Sequence, residues 1–314
     1  MSIRTDILKT LAYFDMFDYP LNTKEIQFFL GQQTILSIIN EHLKLLIADK
    51  IVFQVDEFYS LQMNLKLAER RRKGNAAAIK EMKNAEYATS ILSKFPYIKG
   101  IAVSGSLSKN YCDESTDIDF FIITTAGRLW IARTILHIFY KFVWLAGKQR
   151  LFCLNYYIDE QKTEIEEKNI FTAIEIVTLI PMKGGKVFQD FMRANAWTNK
   201  YLPMATSTAN ELPEIKKRSL TSFIEKLFDG PVGERLDKWL MRLTKKRWDK
   251  KVRQHKTNQK GINIGMLVNR HYSKPDPKNF QNKILAQYEQ KVATVLKLQG
   301  NHPVAENIIF FETK

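Results

Sequence analysis

At 314 residues, with 45% hydrophobic and 26% charged side chains, the chain has an ordinary globular composition and room for two or three domains with a sizeable core. Its two cysteines, Cys112 and Cys153, are too few for a disulfide framework, and no repeat or low-complexity tract is visible. The formal net charge of +15 is unevenly spread: residues 1–61 hold five Lys/Arg and eight Asp/Glu, whereas residues 214–260 hold fifteen and six, a net of +9.

The opening residues do not read as a signal peptide, because Asp6 interrupts any early apolar core, and a cytoplasmic location is expected. A helix is expected over 3–14. Asn22 and Glu25 have the spacing of a capping box, which starts a short helix ending near Leu30. A third helix over 34–50 places Ile35, Ile38, Ile39, His42, Leu43 and Leu46 at core spacing. Apolar runs over 51–55 and 58–61 flank Asp56-Glu57 as a hairpin. Three helices and a hairpin resemble a winged helix, assigned to residues 1–63. Such folds often read DNA with the third helix. Here that helix offers Lys44 and Lys50 against Glu41 and Asp49, and the unit is net acidic, so protein contact is expected instead. Phe14, Met16, Phe17 and Tyr19 are expected to pack against the next domain. Residues 64–96 read as a helical connector beginning with the basic cluster at Arg70–Lys73.

The next region, 97–212, alternates apolar runs with helical periodicity. Strands are expected over 97–104, 117–124 and 151–158, and helices over 127–146, 170–179 and 186–196. The 129–147 segment is apolar enough to be mistaken for a membrane span. Arg133, His137 and Lys141 recur every four residues on one stripe, which is expensive in lipid, so a mostly buried helix with one polar face is expected. Pro181-Met-Lys-Gly-Gly-Lys186 reads as a turn; it lacks the preceding strand and the Lys-Ser/Thr ending of a P-loop. Pro213 marks a boundary. The rest, 213–314, reads as a basic helical domain broken at Gly230-Pro231 and at 274–277. Its excess of cationic side chains over 214–260 suits RNA or another anionic acceptor, or forms a solvated surface.

The chemistry concentrates between Ile101 and Thr124. An apolar run ends in the small turn Gly105-Ser106, and a second opens with Asp117-Ile118-Asp119. In a strand, residues i and i+2 share a face, so the two carboxylates project together and Ile118 turns into the core. Two adjacent carboxylates repel unless a cation lies between them. Oxygen donors of this kind suit Mg²⁺ (or Mn²⁺), which also takes substrate phosphates as ligands. Glycine lets the main chain approach an anion closely, and Lys109 just beyond the turn adds a cation. Arg128 opens the following helix and is a further candidate for reaching a nucleotide.

A Gly-Ser turn followed about ten residues later by Asp-x-Asp at a strand start resembles the nucleotidyltransferase superfamily, whose fold is shared by DNA polymerase beta. Gly127-Arg-Leu-Trp130, Leu154-Asn-Tyr-Tyr157 and Ala194-Asn-Ala-Trp197 also resemble an uncharacterised bacterial branch of that family. The resemblance implies an α+β fold with a mixed sheet and flanking helices. It implies an NTP as donor substrate, Gly105 and Ser106 as phosphate seat, and Asp117 and Asp119 as catalytic metal ligands. It also implies a third carboxylate from a neighbouring strand. Alternation over 152–159 puts Cys153, Asn155, Tyr157 and Asp159 on one face, and the best-fitting position holds Asn155. An amide oxygen can coordinate Mg²⁺ but brings no charge and cannot deprotonate a hydroxyl. Two readings follow: Mg²⁺-dependent transfer of a nucleotide to an acceptor, or a catalytically weak protein that binds nucleotide or RNA. Asn195 and Trp197 are weaker candidates for an acceptor pocket. His271 has no metal partner visible in the sequence.

Overall fold

The structure is a computed structural model that describes residues 2–114, 116–205, 212–216, 219–254, 266–275 and 277–300. In chain order the elements are α1 (Ile3–Asp15), α2 (Thr23–Phe28), α3 (Leu36–Ala48), β1 (Phe53–Val55), β2 (Phe58–Ser60), α4 (Lys66–Leu92), β3 (Ile98–Ser104) and α5 (Gly105–Ser108). They continue with β4 (Asp119–Thr124), α6 (Leu129–Leu145), β5 (Cys153–Asp159), α7 (Ile170–Val177), β6 (Ile180–Lys183) and α8 (Gly185–Ala194). The last are α9 (Ser219–Leu227), α10 (Pro231–Arg253), β7 (Met266–Val268), β8 (Tyr272–Pro275) and α11 (Pro277–Gly300). The fold is α+β, and the chain divides into two compact units, 1–69 with 284–314 and 70–283.

The first unit starts as the sequence indicates. Asn22 accepts from the Glu25 amide while the Glu25 carboxylate accepts from the Asn22 amide, closing the capping box. β1 and β2 pair antiparallel, and Leu21 bridges Tyr59 beside them. Phe14 and Tyr19 are buried inside this unit, where Phe14 packs on Phe29 with ring centroids 4.5 Å apart. They are therefore committed to the unit's own core rather than to an outward docking face. Sequence boundaries differ in another respect: residues from Ile284 onward group with this unit and not with the basic segment. Tyr288 of α11 meets Tyr13 edge-on at 5.8 Å, and Lys291 pairs with the buried Asp15.

In the second unit the described strands form a mixed sheet ordered β6-β3-β4-β5-β8-β7. Only β4 and β5 run parallel among these pairs, joined through α6; the others are antiparallel. One face carries Ile101, Val103, Phe120, Ile122 and Tyr157, covered by alanines of α4 and by Trp130 and Leu136 of α6. The other carries Phe121, Ile123 and Ile158, covered by Ile176 of α7 and Phe188 and Phe191 of α8. This alternation along β4 is the period-2 pattern of a strand buried on both faces.

Three strands lie where the sequence suggested turn or helix. β6 contains Pro181, which is tolerated because β6 is at the edge of the described sheet, where one amide row needs no partner. β7 and β8 are three and four residues long, too short to show a period; β8 pairs with β5 and β7 with β8. The expectation for α6 also needs correction. Its first half is buried, but Ile138, Phe142, Trp144 and Leu145 are exposed. No described helix is long and apolar enough to cross a membrane.

The start of α6 is held from outside the helix. Asp237 of α10 accepts from the amides of Trp130 and Ile131 at 2.8 and 3.0 Å, supplying two first-turn N–H groups with a buried carboxylate. Burial raises its pKa to about 6 despite those bonds. Asp237→Ala is expected to lower stability by about 1–3 kcal/mol, because it leaves buried donors unsatisfied. Urea unfolding measures this, and a change under about 0.5 kcal/mol would contradict the capping role.

Candidate active site

The two halves of the sequence motif meet at one end of the sheet. β3 and β4 pair antiparallel with Ser104 opposite Asp119, so the turn after β3 lies beside the start of β4. Gly105 takes a left-handed φ of +70°, and a Cβ there would stand 2.5 Å from the Asp119 Oδ2 atom. Both constraints demand glycine. The turn continues into α5, and the hydroxyl-bearing Ser106 is exposed at its start. Ser104 Oγ donates to the Asp119 carbonyl at 3.3 Å and ties turn to strand.

Asp117 and Asp119 flank Ile118, which is fully buried as the i, i+2 reading requires. β4 begins only at Asp119; Asp117 lies just before it, partly exposed, with Arg150 Nε at 3.7 Å from its Oδ1. Arg150 also donates to the Thr116 carbonyl at 2.8 Å, which fixes this lead-in segment. Burial pushes the Asp119 carboxyl up to about 6, a hydrogen bond from the Cys153 thiol acts against that, and the negative charges of Asp117 and Glu175 add to it. Lys109 acts in the opposite sense and offsets part of that rise.

Lys109 and Glu175 complete the surroundings. Lys109 Nζ donates to the Gly105 carbonyl at 3.2 Å and pairs with Glu175 Oε1 at 2.8 Å. The lysine thus braces the turn and holds a carboxylate from α7 close to Asp119. Sequence reasoning missed Glu175, because it sought the third carboxylate on a strand and Glu175 sits inside an apolar helix, Ile170–Val177.

Asn155 and Arg128 occupy other positions. Asp119 pairs with Cys153 and Phe120 with Leu154, but Phe121 pairs with Tyr156, so Asn155 falls in a bulge and is exposed. The bulge breaks the alternation expected from Cys153 to Asp159. The residue beside Asp119 is Cys153, while Tyr157 faces the opposite core. Arg128 lies past Thr124 at the other end of β4, a strand about 17 Å long. Its guanidinium donates to the carbonyls of Gly127, Phe228 and Gly230 at 2.8, 3.0 and 3.2 Å. It joins the β4–α6 connection to the turn between α9 and α10.

The weaker candidates resolve into structural roles. Asn195 is fully buried; its Oδ1 accepts from Ile165 N and Trp197 Nε1, and its Nδ2 donates to the Thr163 and Phe191 carbonyls. His271 finds a partner in buried Asp159, with Nδ1 at 3.0 Å from Oδ2, and Asp159 also accepts from the Gly127 amide. Gly184, with φ +88°, turns the chain from β6 into α8.

Among the described residues no three His, Cys, Asp or Glu side chains converge as a metal cluster. Two carboxylates are enough for Mg²⁺ when substrate phosphates and water fill the remaining positions, so the oxygen donors of Asp117 and Asp119 fit that ion. Comparison of the chain with protein-family models, curated proteins and solved structures gave no match.

Proposed function

We propose that this protein is an Mg²⁺-dependent nucleotidyltransferase that moves a nucleotide from an NTP to an acceptor. The observation that carries the reading is the close approach of the left-handed Gly105 turn to the half-buried Asp119, whose carboxyl is crowded by the negative charges of Asp117 and Glu175. The reaction forms a bond from an acceptor oxygen to the α-phosphorus and breaks the bond to the β-phosphate bridging oxygen, releasing pyrophosphate. Asp117 and Asp119 would hold the metal, which when bound neutralises the charge on the phosphates. The backbone at Gly105 and Ser106 receives the phosphate oxygens, with the Ser106 hydroxyl as an added donor. Lys109 keeps that turn in register with Asp119 through the Gly105 carbonyl. The protein's work is mainly positioning and charge stabilisation, as in other phosphoryl-group transfers.

A second reading has its own support. Cys153, not a carboxylate, is the strand neighbour of Asp119, which suits a protein that binds nucleotide with little turnover. Calorimetry with each NTP, with and without Mg²⁺, tests what both readings share. Metal-dependent binding that is lost in Asp119→Asn is expected; binding indifferent to both metal and Asp119 would remove the basis of either. Turnover then separates them.

A further inference from the structure

The stripe Arg133/His137/Lys141 has no role in the site above. It lies on α6 with Tyr140 and Trp144 interleaved at helical spacing. His137, Lys141 and Trp144 are exposed, and His137 stacks on Tyr140 with planes 13° apart. Arg133 is largely enclosed. Its guanidinium lies 5.5 Å over the Trp130 ring and 5.9 Å over Tyr157, its Nη2 contacts Met266 Sδ, and its buried Nε has no hydrogen-bond partner. α10 adds exposed Arg247 and Lys251, the latter 4.5 Å over the Trp248 ring.

α10 packs along α6. Desolvation lowers the pKa of His137 and the positive charges of Arg133, Lys141, Lys251 and Arg247 lower it further, so near neutral pH its imidazole is uncharged and serves as a hydrogen-bonding ring rather than as a cation. Among the described residues none of these five groups forms an ion pair with a carboxylate. An ordinary solvated helix face mixes charges of both signs, whereas this one concentrates positive charge and leaves the Trp144 ring exposed beside it. Clustered cations with exposed rings match a strand of phosphates whose bases stack.

We propose that His137, Lys141 and Trp144 of α6, with Arg247 and Lys251 of α10, bind the backbone of single-stranded RNA, with the enclosed Arg133 adding to their positive field. Phosphates lie along the cations and a base stacks on Trp144. The C-terminal end of α6 leads, through the short connection after Leu145, to Arg150, whose Nε lies 3.7 Å from Asp117 Oδ1. A strand on this face is therefore led to the carboxylates, which a lipid surface would not be. The proposal holds whether or not Asp119 supports turnover.

Fluorescence anisotropy of the full chain with a labelled 20-nucleotide single strand of RNA, at 50 and 200 mM KCl, is the test. Affinity is expected to fall steeply with salt. Lys141→Glu with Lys251→Glu should weaken binding more than about tenfold, and Trp144→Ala about fivefold or more. Lys80→Glu with Lys83→Glu changes net charge equally on α4 and should leave affinity nearly unchanged. Four results would each overturn the proposal: no binding, equal or tighter binding to the matching duplex, an equal loss in the α4 control, or RNA displaced by anionic vesicles through the same residues.

Discussion

Asp119→Asn is expected to keep the fold, raise its stability and abolish metal-dependent nucleotide binding. The stability gain follows from proton linkage. The folded-state pKa is raised from 3.8 to about 6, so between those values the folded chain binds more protons than the unfolded one. Stability then falls as pH rises through that window, and the loss is complete above about pH 6. Two units correspond to about 3 kcal/mol as a ceiling, so a gain of about 1–3 kcal/mol near neutral pH is expected. Asp237, also raised to about 6, contributes in the same direction and window, so the variant retains part of the slope. Mg²⁺ with NTP should stabilise the native chain and not the variant. Loss of a direct ligand should cost on the order of 100-fold or more in nucleotide affinity. Thermal unfolding across pH 4 to 8, with and without Mg²⁺ and NTP, reads all of this. An Asp119→Asn chain that is less stable near neutral pH and binds NTP normally would remove Asp119 from the site.

Gly105→Ala is expected to damage both fold and binding. An alanine at φ +70° costs about 1–2 kcal/mol from backbone strain alone. Its methyl would also stand 2.5 Å from Asp119 Oδ2, so the carboxylate must move or the turn must open. A total loss of about 2–4 kcal/mol is expected, with nucleotide binding reduced at least as much as in Asp119→Asn. Urea unfolding paired with calorimetry measures the two effects. A variant with native stability and native affinity would show that the turn does not seat against Asp119.

Much of the site was legible because it depends on short-range rules. The i, i+2 spacing predicts that Asp117 and Asp119 flank a core residue, and Ile118 is fully buried. The small Gly-Ser turn predicts a close backbone approach, and Gly105 has no room for a methyl. What escaped the sequence depends on register and pairing. The pairing register sets Cys153 beside Asp119, and a bulge between Leu154 and Tyr156 leaves Asn155 out of the ladder; nothing in the local composition announces either. Glu175 reaches the site from an apolar helix whose packing is set by distant residues. β8 forms on the edge of β5 and β7 on β8, through pairing with residues distant in the chain rather than through their own strand propensity. The grouping of α11 with the first unit rests on Tyr13–Tyr288 and Asp15–Lys291, pairs far apart in the chain.

The most direct test of the central claim is transfer itself. The purified chain is incubated with each α-labelled NTP, Mg²⁺ or Mn²⁺ and a cell extract, and the products are separated to find what becomes labelled. Label joined to an acceptor with release of pyrophosphate, dependent on the metal and absent with Asp119→Asn, is the expected result. No metal-dependent labelling with any NTP, despite tight NTP binding, would contradict nucleotidyl transfer and leave the binding reading in its place.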